Sequence, residues 1–531
     1  MTSQSNVENI IDHVKSVRRN TLGDLLLRTS ERYPTKPALI FKSQRITYGE
    51  LNELVNRTAH GLLSNGMKKG DFVTVMTRNS LDFVVLNFAL ARIGSIMVPI
   101  NYMLTEEEIR YILGHARIRA VFASMEFTAI MDRSLKHHKV AQKVIIGQTD
   151  DCVPDQWVSI HNIRTDQPST LPETEIDDDD IVHVLYTSGT ESRPKGVMLS
   201  HKSLISEYVS CIIDGKMSNE DIVIHALPLY HSAQLHVFLG PSVYLGSSGI
   251  ILEAPTPEAI LKTIEEERAT LLFCPPTVWI ALLRHADFDK RDLSSLKKCY
   301  YGAAIMPMEI LKELKERLPD ASLWNFYGQT EVAPLATALQ PVDQLRKLGS
   351  AGVPSLNVQT RIVNDQDEEV PRGELGEIVH RTPHAMKGYL HDAEKTTEAF
   401  RGGWFHSGDL GVMDEEGYLT IVDRKKDMIN TGGVNVSSRE VEEVIYEMEG
   451  VSEVAVISIP DPYWIEAVTA VIIPKTGTVL EEKEVIEFCK KRLSSFKTPK
   501  YVEFSNELPK NPSGKVLKRS LRADFSTRGS S

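Results

Sequence analysis

The sequence predicts an α/β protein built on a mostly parallel sheet that helices cover on both faces, followed by a smaller α+β region near the C-terminus. Three observations support this class. Strand and helix patterns alternate between Thr47 and Phe122, and the alternation returns between Ile222 and Cys274. Beyond Asp427 the pattern changes to one helix, two strands and a second helix.

The first alternating region contains specific start signals. Thr47-Tyr48-Gly49-Glu50 is a capping box, so a helix is predicted to start there and to end near Gly66. Strands are predicted at Phe72–Met76, Ile96–Ile100 and Ala120–Phe122, and further helix starts at Ser80 and Thr105.

Composition excludes several classes of function. The chain has 531 residues, a net charge of −12 and 42% hydrophobic residues, which suits two or more globular domains and argues against a nucleic-acid binder. Its five cysteines are scattered, which predicts a reducing, cytoplasmic location with neither a disulfide framework nor a zinc site. The first twenty residues do not resemble a signal peptide, and no membrane span is predicted.

One loop, Tyr186-Thr187-Ser188-Gly189-Thr190-Glu191-Ser192-Arg193-Pro194-Lys195-Gly196, lies between two predicted strands, Ile181–Leu185 and Val197–Leu199. Its hydroxyls, glycines and two cations suit a polyphosphate. It is not a Walker A loop, because a strand and not a helix follows the lysine. A polar surface hairpin is the alternative interpretation.

Four further stretches are candidates for a site. His231 ends a strand and precedes an apolar stretch, Leu235–Leu245, that Gly240 and Pro241 interrupt. The stretch 301–304 is rich in small residues, which would let a flat ring approach the backbone. The stretch 325–331 places an aromatic ring, a hydroxyl and Glu331 at a predicted strand end, where ligands collect in open α/β sheets. Residues 402–411 are predicted to form a turn that carries Asp409.

Two stretches near the C-terminus complete the set. Charges at 423–427 interrupt a predicted strand, and we place the domain boundary there. Residues 509–515 are predicted to form a tight turn that ends in a lysine.

The acidic run 177–180 is interpreted as a solvated linker and not as a metal site.

The order of these motifs resembles the AMP-forming adenylate superfamily, and bacterial medium- or long-chain fatty acyl-CoA ligases in particular. The matching stretches are 186–196, 327–331, 404–409, 423–424 with 431–433, and 512–515. The resemblance implies a large N-terminal domain (1–423) of stacked mixed sheets with helices, and this domain is expected to bind AMP and the acyl group. It also implies a hinge (424–426) and a smaller α+β lid domain (427–531). It also implies ATP, Mg²⁺ and coenzyme A as cofactor and co-substrates.

The resemblance further implies roles for individual residues. Catalysis is assigned to Thr187, His231, Glu331 and Lys515, with Mg²⁺ on Glu331 and Thr190. ATP or AMP is expected to contact Thr187, Ser188, Gly189, Thr190, Lys195, Gly302, Ala303, Ala304, Tyr327, Gly328, Thr330, Asp409, Arg424 and Lys515. Lys426 corresponds to the hinge, Gly432 and Gly433 to the coenzyme A side, and His231, Leu235 and Phe238 to the acyl pocket.

The loop departs from the family pattern at Glu191 and Ser192, where a Thr or Ser followed by Gly is usual, and Ser407 replaces a usual Thr. The apolar stretch after His231 contains no lysine or arginine for a second carboxylate, which favours a fatty acid over malonate. A free-standing loader of a carrier protein, an aromatic-acid CoA ligase, a luciferase-like oxygenase and a non-catalytic nucleotide-binding relic are the alternatives. The expected partners are small molecules; the sequence allows a homodimer without requiring one.

Overall fold

The structure is a computed structural model that describes residues 14–147, 153–187, 194–302, 306–432, 434–510 and 516–525. Within these ranges it contains two large sheets, a small antiparallel sheet and a separate C-terminal sheet, with helices around them. This is the mixed α/β architecture that the sequence predicts. No helix in the described ranges is both long enough and apolar enough to span a bilayer.

The first large sheet has eight strands and is mostly parallel. In spatial order its strands are Gly388–Tyr389, Lys195–Ser200, Ile181–Thr187, Ile96–Pro99, Phe72–Met76, Ala120–Ser124, Gln142–Ile146 and Val158–Ser159. The helices of this part of the chain are Leu22–Arg32, Tyr48–Ser64, Leu81–Ile93, Glu106–His115, Thr128–Ser134 and Ile160–Arg164.

Local sequence explains where these helices begin. Thr47 and Glu50 form the predicted capping box, and a second one joins Thr105 to Glu108. Ser80 accepts a hydrogen bond from the Phe83 backbone at the start of a helix whose residues are buried almost throughout. The predicted starts are therefore confirmed.

The second large sheet has nine strands. In spatial order they are Val353–Pro354, Leu335–Leu339, Ser322–Gly328, Lys298–Gly302, Leu271–Phe273, Ile222–His225, Ser248–Ile251, Pro37–Phe41 and Gln44–Thr47. The helices from this part of the chain are His201–Asp214, Gly240–Leu245, Pro257–Glu267, Pro276–Arg284 and Met308–Arg317. Its centre is parallel, whereas both edges carry antiparallel strands.

The stretch after His231 differs from the prediction. Residues Ala233–Leu239 form a π-helix that runs directly into the helix Gly240–Leu245. Gly240 and Pro241 therefore do not break the helical path, because proline is tolerated in the first turn of a helix.

A four-stranded antiparallel sheet follows, with strands Gln359–Val363, Gly376–Arg381, Phe405–Met413 and Leu419–Arg424, and the helix Ala393–Ala399 beside it. One prediction is wrong here, because Asp409 lies inside a strand and not in a turn. The strand from Leu419 ends within the charged run, as predicted, but it extends two residues into that run, through Asp423 and Arg424. Asp409 and Arg424 face each other in register across the two strands.

The C-terminal part contains a five-stranded sheet with its own hydrophobic core. Its strands are Ile429–Thr431, Val434–Val436, Val451–Asp461, Ile465–Pro474 and Tyr501–Phe504, and its helices are Ser438–Tyr446, Glu482–Lys490 and Lys518–Phe525. It contacts the preceding sheet through Asp423, whose carboxylate accepts a 2.8 Å hydrogen bond from the Ser438 backbone at the start of a helix.

Candidate active site

The ends of several strands open into one cleft of about 2630 Å³. Thr187, Gly302 and Gly328 are the last residues of their strands, and Thr187 and Gly328 line this cleft. Residues 516–520 and Arg522 of the C-terminal part line it as well. The cleft is large enough for a nucleotide with a second substrate, and it lies where α/β sheets bind ligands.

Two glycines allow the backbone to pack tightly beside this cleft. A Cβ on Gly328 would lie 1.7 Å from the Pro334 carbonyl oxygen, and one on Gly302 would lie 2.2 Å from that of Phe326. No side chain fits at either position. Gly302 itself does not line the cleft, but its neighbour Tyr301 does.

A carboxylate–phenol–guanidinium group forms one wall. The Tyr327 hydroxyl donates to Asp409 Oδ2 at 2.7 Å, and Arg424 Nε lies 3.5 Å from Asp409 Oδ1. Burial raises the pKa of Tyr327 well above its usual value, so this phenol remains a hydrogen-bond donor at neutral pH. The three side chains come from three different strands and converge as the sequence predicts.

Glu377 supports this wall from behind. Its carboxylate accepts a 3.2 Å hydrogen bond from the Gly408 backbone and a 2.9 Å bond from Arg401, and His406 lies 3.4 Å away. Burial alone would raise the pKa of Glu377, but the bonds from His406 and Arg401 lower it to about 2. The strand segment that carries Asp409 is therefore fixed by an ionised carboxylate.

Glu331 lies in a short 3₁₀ turn just after the strand Ser322–Gly328. Burial raises the pKa of its carboxyl, and the Tyr389 hydroxyl, 3.1 Å from Oε1, together with Lys195 opposes that rise. Its hard carboxylate oxygens and its place on the cleft suit Mg²⁺, which commonly uses one or two carboxylates together with substrate phosphates. No group of three or more candidate metal ligands occurs in the described ranges, so such an ion would depend on phosphate oxygens and water.

Thr330 and His231 both line the cleft, and Ser232 connects the two stretches that carry them. Ser232, which is buried, lies with its Oγ 3.0 Å from Thr330 Oγ1. His231 Nδ1 accepts a 3.3 Å hydrogen bond from the Ala233 backbone. The contact to Thr330 is therefore made by Ser232, the residue that follows His231.

The acyl side of the cleft is apolar. Phe238 stacks on Phe273 with ring centroids 4.5 Å apart, and Val237 packs in the same cluster. These three residues line the cleft, and Ile280 and Met306 line it as well. Leu235 does not line it and packs in the main core of the protein instead. Of the two apolar residues predicted here, the structure brings only Phe238 to the cleft.

Lys426, predicted as the hinge, lines the cleft together with Lys425, whose backbone donates to the Gly408 carbonyl at 2.9 Å. Gly432 does not line the cleft; its backbone donates to the Trp464 carbonyl at 2.6 Å. Several predicted residues lie outside the described ranges: Ser188, Gly189, Thr190, Glu191, Ser192, Ala303, Ala304, Gly433 and Lys515.

Three residues of the site were missed by sequence reasoning: Ser232, Glu377 and Tyr389. Ser232 follows His231 directly, so its position next to a predicted site residue was an available signal. Tyr389 reaches the site because Gly388–Tyr389 pairs with the strand Lys195–Ser200, a contact between residues far apart in the chain. No local pattern indicates that pairing.

Comparison with known proteins agrees with this geometry. The family described as AMP-binding enzyme matches residues 26–390, and the AMP-binding enzyme C-terminal domain matches residues 440–515. A feruloyl-CoA synthase of an Amycolatopsis species is 34% identical over 96% of this chain and 100% of its own length. A long-chain-fatty-acid–CoA ligase of Bacillus subtilis is 32% identical over 97% of this chain and 96% of its own.

Among solved structures, ATP-bound MatB from Rhodopseudomonas palustris superimposes with a TM-score of 0.87 at 31% identity, covering 96% of this chain and 99% of that one. The chain therefore belongs to the AMP-binding enzyme family. Its activity is that of an AMP-forming CoA ligase, an enzyme that uses ATP and coenzyme A to convert a carboxylic acid into a thioester.

Proposed function

We propose that this CoA ligase activates a hydrophobic monocarboxylic acid, with medium- or long-chain fatty acids as the preferred class. The observation that carries this proposal is the apolar lining that Val237, Phe238, Phe273, Ile280 and Met306 give to the cleft, which we call the apolar branch. The branch continues along one face of the helix Pro276–Arg284, where Thr277, Ile280 and Arg284 follow one another. Seven residues of helix correspond to about 10 Å, which is room for an extended chain.

Among the residues that the structure describes along this branch, a second carboxylate would find no available cation. Arg284 is the charged residue at its outer end, and its guanidinium already makes bonds of 2.6 and 2.8 Å to the two oxygens of Glu313. Such paired geometry neutralises the arginine. This supports a monocarboxylic acid over a dicarboxylic acid such as malonate.

An aromatic acid is the second candidate. The stacked pair Phe238 and Phe273 lines the cleft with two aromatic rings, which suit contact with the ring of an aromatic acid. The similarity to a feruloyl-CoA synthase supports the same class.

On the nucleotide side, we assign both ribose hydroxyls to Asp409, the adenine ring to Tyr327, and the β- and γ-phosphates to Thr187 and Lys195. Thr330 contacts the α-phosphate, Glu331 holds Mg²⁺, Arg424 assists at the ribose and Lys515 bridges the acid and the α-phosphate. Support comes from the shared cleft that Asp409, Tyr327, Thr330, Glu331 and Lys195 line. Mg²⁺ supplies charge neutralisation to the leaving pyrophosphate.

The reaction needs little acid–base chemistry from the protein. A carboxylate is ionised at neutral pH, so its oxygen attacks the α-phosphorus directly and pyrophosphate leaves. The thiol of coenzyme A then loses its proton to water and attacks the acyl carbon; the bond from the acyl carbon to the AMP oxygen breaks, and AMP leaves. We propose that rotation of residues 427–531 about Lys426 brings Gly432 and Gly433 to the thiol for this second half.

The described cysteines Cys211, Cys274, Cys299 and Cys489 are free and buried, which supports the proposed cytoplasmic location. Whether the enzyme forms a homodimer stays a prediction that its oligomeric state in solution would test.

The decisive experiment is acid-dependent ATP–pyrophosphate exchange over straight-chain fatty acids, cinnamic-type aromatic acids and malonate, repeated as AMP release with coenzyme A. Exchange with a chain-length optimum, followed by AMP release, is the expected result. A clear preference for aromatic acids would select the second candidate, and strong activity on malonate alone would contradict both. Exchange without turnover of coenzyme A would indicate a carrier-protein loader.

A further inference from the structure

A short segment, residues 386–390, joins two parts of the nucleotide site that are far apart in sequence. Its backbone pairs with the strand that begins at Lys195: Leu390 donates to the Gly196 carbonyl at 2.8 Å and Lys387 to that of Met198 at 2.9 Å. On its other side, the Met386 backbone donates to the Glu331 carbonyl at 2.8 Å. The segment is therefore bonded both to the strand of the lysine and to the turn of the glutamate.

The side chain of Tyr389 makes the same connection at the site itself. Its hydroxyl donates to Glu331 Oε1 at 3.1 Å, and Lys195 Nζ lies 4.6 Å from the centre of its ring. Tyr389 is 7% exposed, so both contacts form in a largely water-free environment. A cation over an aromatic face and a carboxylate at a phenol are both favourable there.

Tyr389 thus contacts two side chains of opposite charge. A lysine and a glutamate at the edge of a buried cleft would otherwise attract each other and pair directly. No direct ion pair joins these two described side chains; each instead contacts a different part of Tyr389. Both charges therefore stay available to a third group in the cleft.

We propose that Tyr389 is a positioning residue that keeps Lys195 and Glu331 apart and oriented, so that the ammonium and the metal-binding carboxylate act on the same polyphosphate. The inference rests on the roles proposed above for Lys195 and Glu331. Tyr389 does not touch the reacting atoms. Its effect is on how strongly the site distinguishes metal-bound from metal-free ATP.

The test is a pair of ATP affinities, measured by calorimetry without any acid: one for ATP with Mn²⁺ as the metal probe, one for ATP in EDTA. Their ratio measures the contribution of the metal. In Tyr389→Phe, which keeps the ring but removes the hydroxyl, we expect this ratio to fall about tenfold while metal-free affinity changes less than about twofold. Tyr389→Leu, which also removes the ring from Lys195, should weaken metal-free binding as well.

Two controls separate positioning from general stability. Tyr48 is a fully buried tyrosine whose hydroxyl donates to the Ser247 carbonyl at 2.6 Å, so Tyr48→Phe should lower the melting temperature and leave the ratio unchanged. In a Glu331→Gln background, Tyr389→Phe should change the ratio by less than about twofold, because the partner carboxylate is gone.

The proposal is overturned if Tyr389→Phe, with a native melting curve, retains the wild-type ratio, or if its effect persists undiminished in the Glu331→Gln background. Since no acid is present, neither outcome depends on which acid the enzyme activates. A failure of the acid panel would therefore count against the proposed substrate and not against this role of Tyr389.

Discussion

The two sides of the cleft are built by different means. On the nucleotide side, polar side chains are bonded to one another in pairs: Tyr327 to Asp409, Tyr389 to Glu331 and Ser232 to Thr330. On the acyl side, Phe238 and Phe273 contribute shape through stacking, and Ile280 and Met306 contribute apolar surface. Hydrogen bonds are directional and specify residue type, whereas apolar contacts mainly specify volume.

This difference explains what each side can vary. Replacing a bonded polar residue leaves its partner unsatisfied, so the nucleotide side tolerates few substitutions. An apolar wall can exchange residues of similar volume at small cost, so the acyl side can change its preferred acid while the nucleotide chemistry is kept. The similarity of this chain to ligases named for feruloyl and for long-chain fatty acids fits that view.

Acid should unfold the protein and so remove both sides of the cleft together, with a greater loss than any single substitution discussed below. Six buried histidines have pKa values lowered chiefly by burial, to about 3 in His183, His225 and His380, to about 4 in His201 and His384, and well below normal in His236. The unfolded chain binds more protons than the folded one below pH 6.5, so stability falls as pH drops from there toward 4. At pH 5.5 each histidine costs about 1.4 kcal/mol relative to pH 8.

Urea unfolding at pH 8, 7, 6 and 5.5 measures this effect. Buried Glu207, whose pKa is raised by burial, offsets a part of the loss because its protonated form suits the interior. We expect a decline in unfolding free energy of several kcal/mol between pH 7 and 5.5. A constant midpoint over this range would show that the histidines are accessible to protons in the folded state.

Asp409 offers a test that should affect the nucleotide side alone. Asp409→Ala removes the carboxylate proposed for the ribose and leaves the Tyr327 hydroxyl without its acceptor. We expect kcat/KM for ATP to fall about 10²- to 10³-fold, from two lost charge-assisted hydrogen bonds, with the order of preference among acids unchanged. Asp414→Ala is the matched control: Asp414 follows the same strand, pairs with Lys347 at 2.6 Å and lies outside the cleft. A changed acid preference in Asp409→Ala would contradict the separation of the two sides.

The third prediction addresses the acyl side. Ile280→Trp should narrow the branch along the helix Pro276–Arg284, so that kcat/KM for the longest acids falls about ten- to a hundredfold while KM for ATP is retained. Ala281→Trp on the same helix is the control, since Ala281 is exposed and does not line the cleft. Equal loss for short and long acids would place the acyl chain elsewhere.

Of the described residues that the sequence indicates for the site, Asp409 and Glu331 line the cleft, whereas Leu235 packs in the core, and the difference has a physical reason. Asp409 and Glu331 are recognisable because few residue types other than a carboxylate suit the roles proposed for them. The glycines around Asp409, however, lead the sequence analysis to predict a turn where the structure has a strand. Pairing with the strand that ends at Arg424 overrides that local preference.

The composition of the apolar branch depends on which face of a helix points toward the cleft, and the sequence does not determine that face reliably. Residues Ala233–Leu239 adopt a π-helix, whose i→i+5 bonding displaces side chains from their α-helical positions. Leu235 therefore packs in the core, while Val237 and Phe238 reach the cleft. Tyr389 was not predictable either, because it arrives through pairing between distant strands.

The hydrogen bond between Ser232 and Thr330 lies where the two sides of the cleft adjoin, and its removal should have a modest effect. Ser232 follows the acyl-side His231 in sequence, and its hydroxyl lies 3.0 Å from that of Thr330, which is assigned to the α-phosphate. In Ser232→Ala this bond is lost but the Thr330 hydroxyl remains free to bond a phosphate oxygen. We expect KM for ATP to rise about two- to fivefold and kcat to fall by a similar factor, since one neutral hydrogen bond contributes about 1 kcal/mol.

Ser242→Ala is the control for this change, because Ser242 is also buried and donates 2.6 Å to the Phe238 carbonyl without lining the cleft. It should lower stability and leave both kinetic constants alone. If the two sides are coupled through Ser232, the loss in Ser232→Ala will grow with the size of the acid, because a displaced Thr330 misplaces the α-phosphate relative to a carboxylate that the acyl branch already holds. If kcat instead falls by the same factor for every acid, Ser232 affects only the nucleotide side, and the two sides act independently.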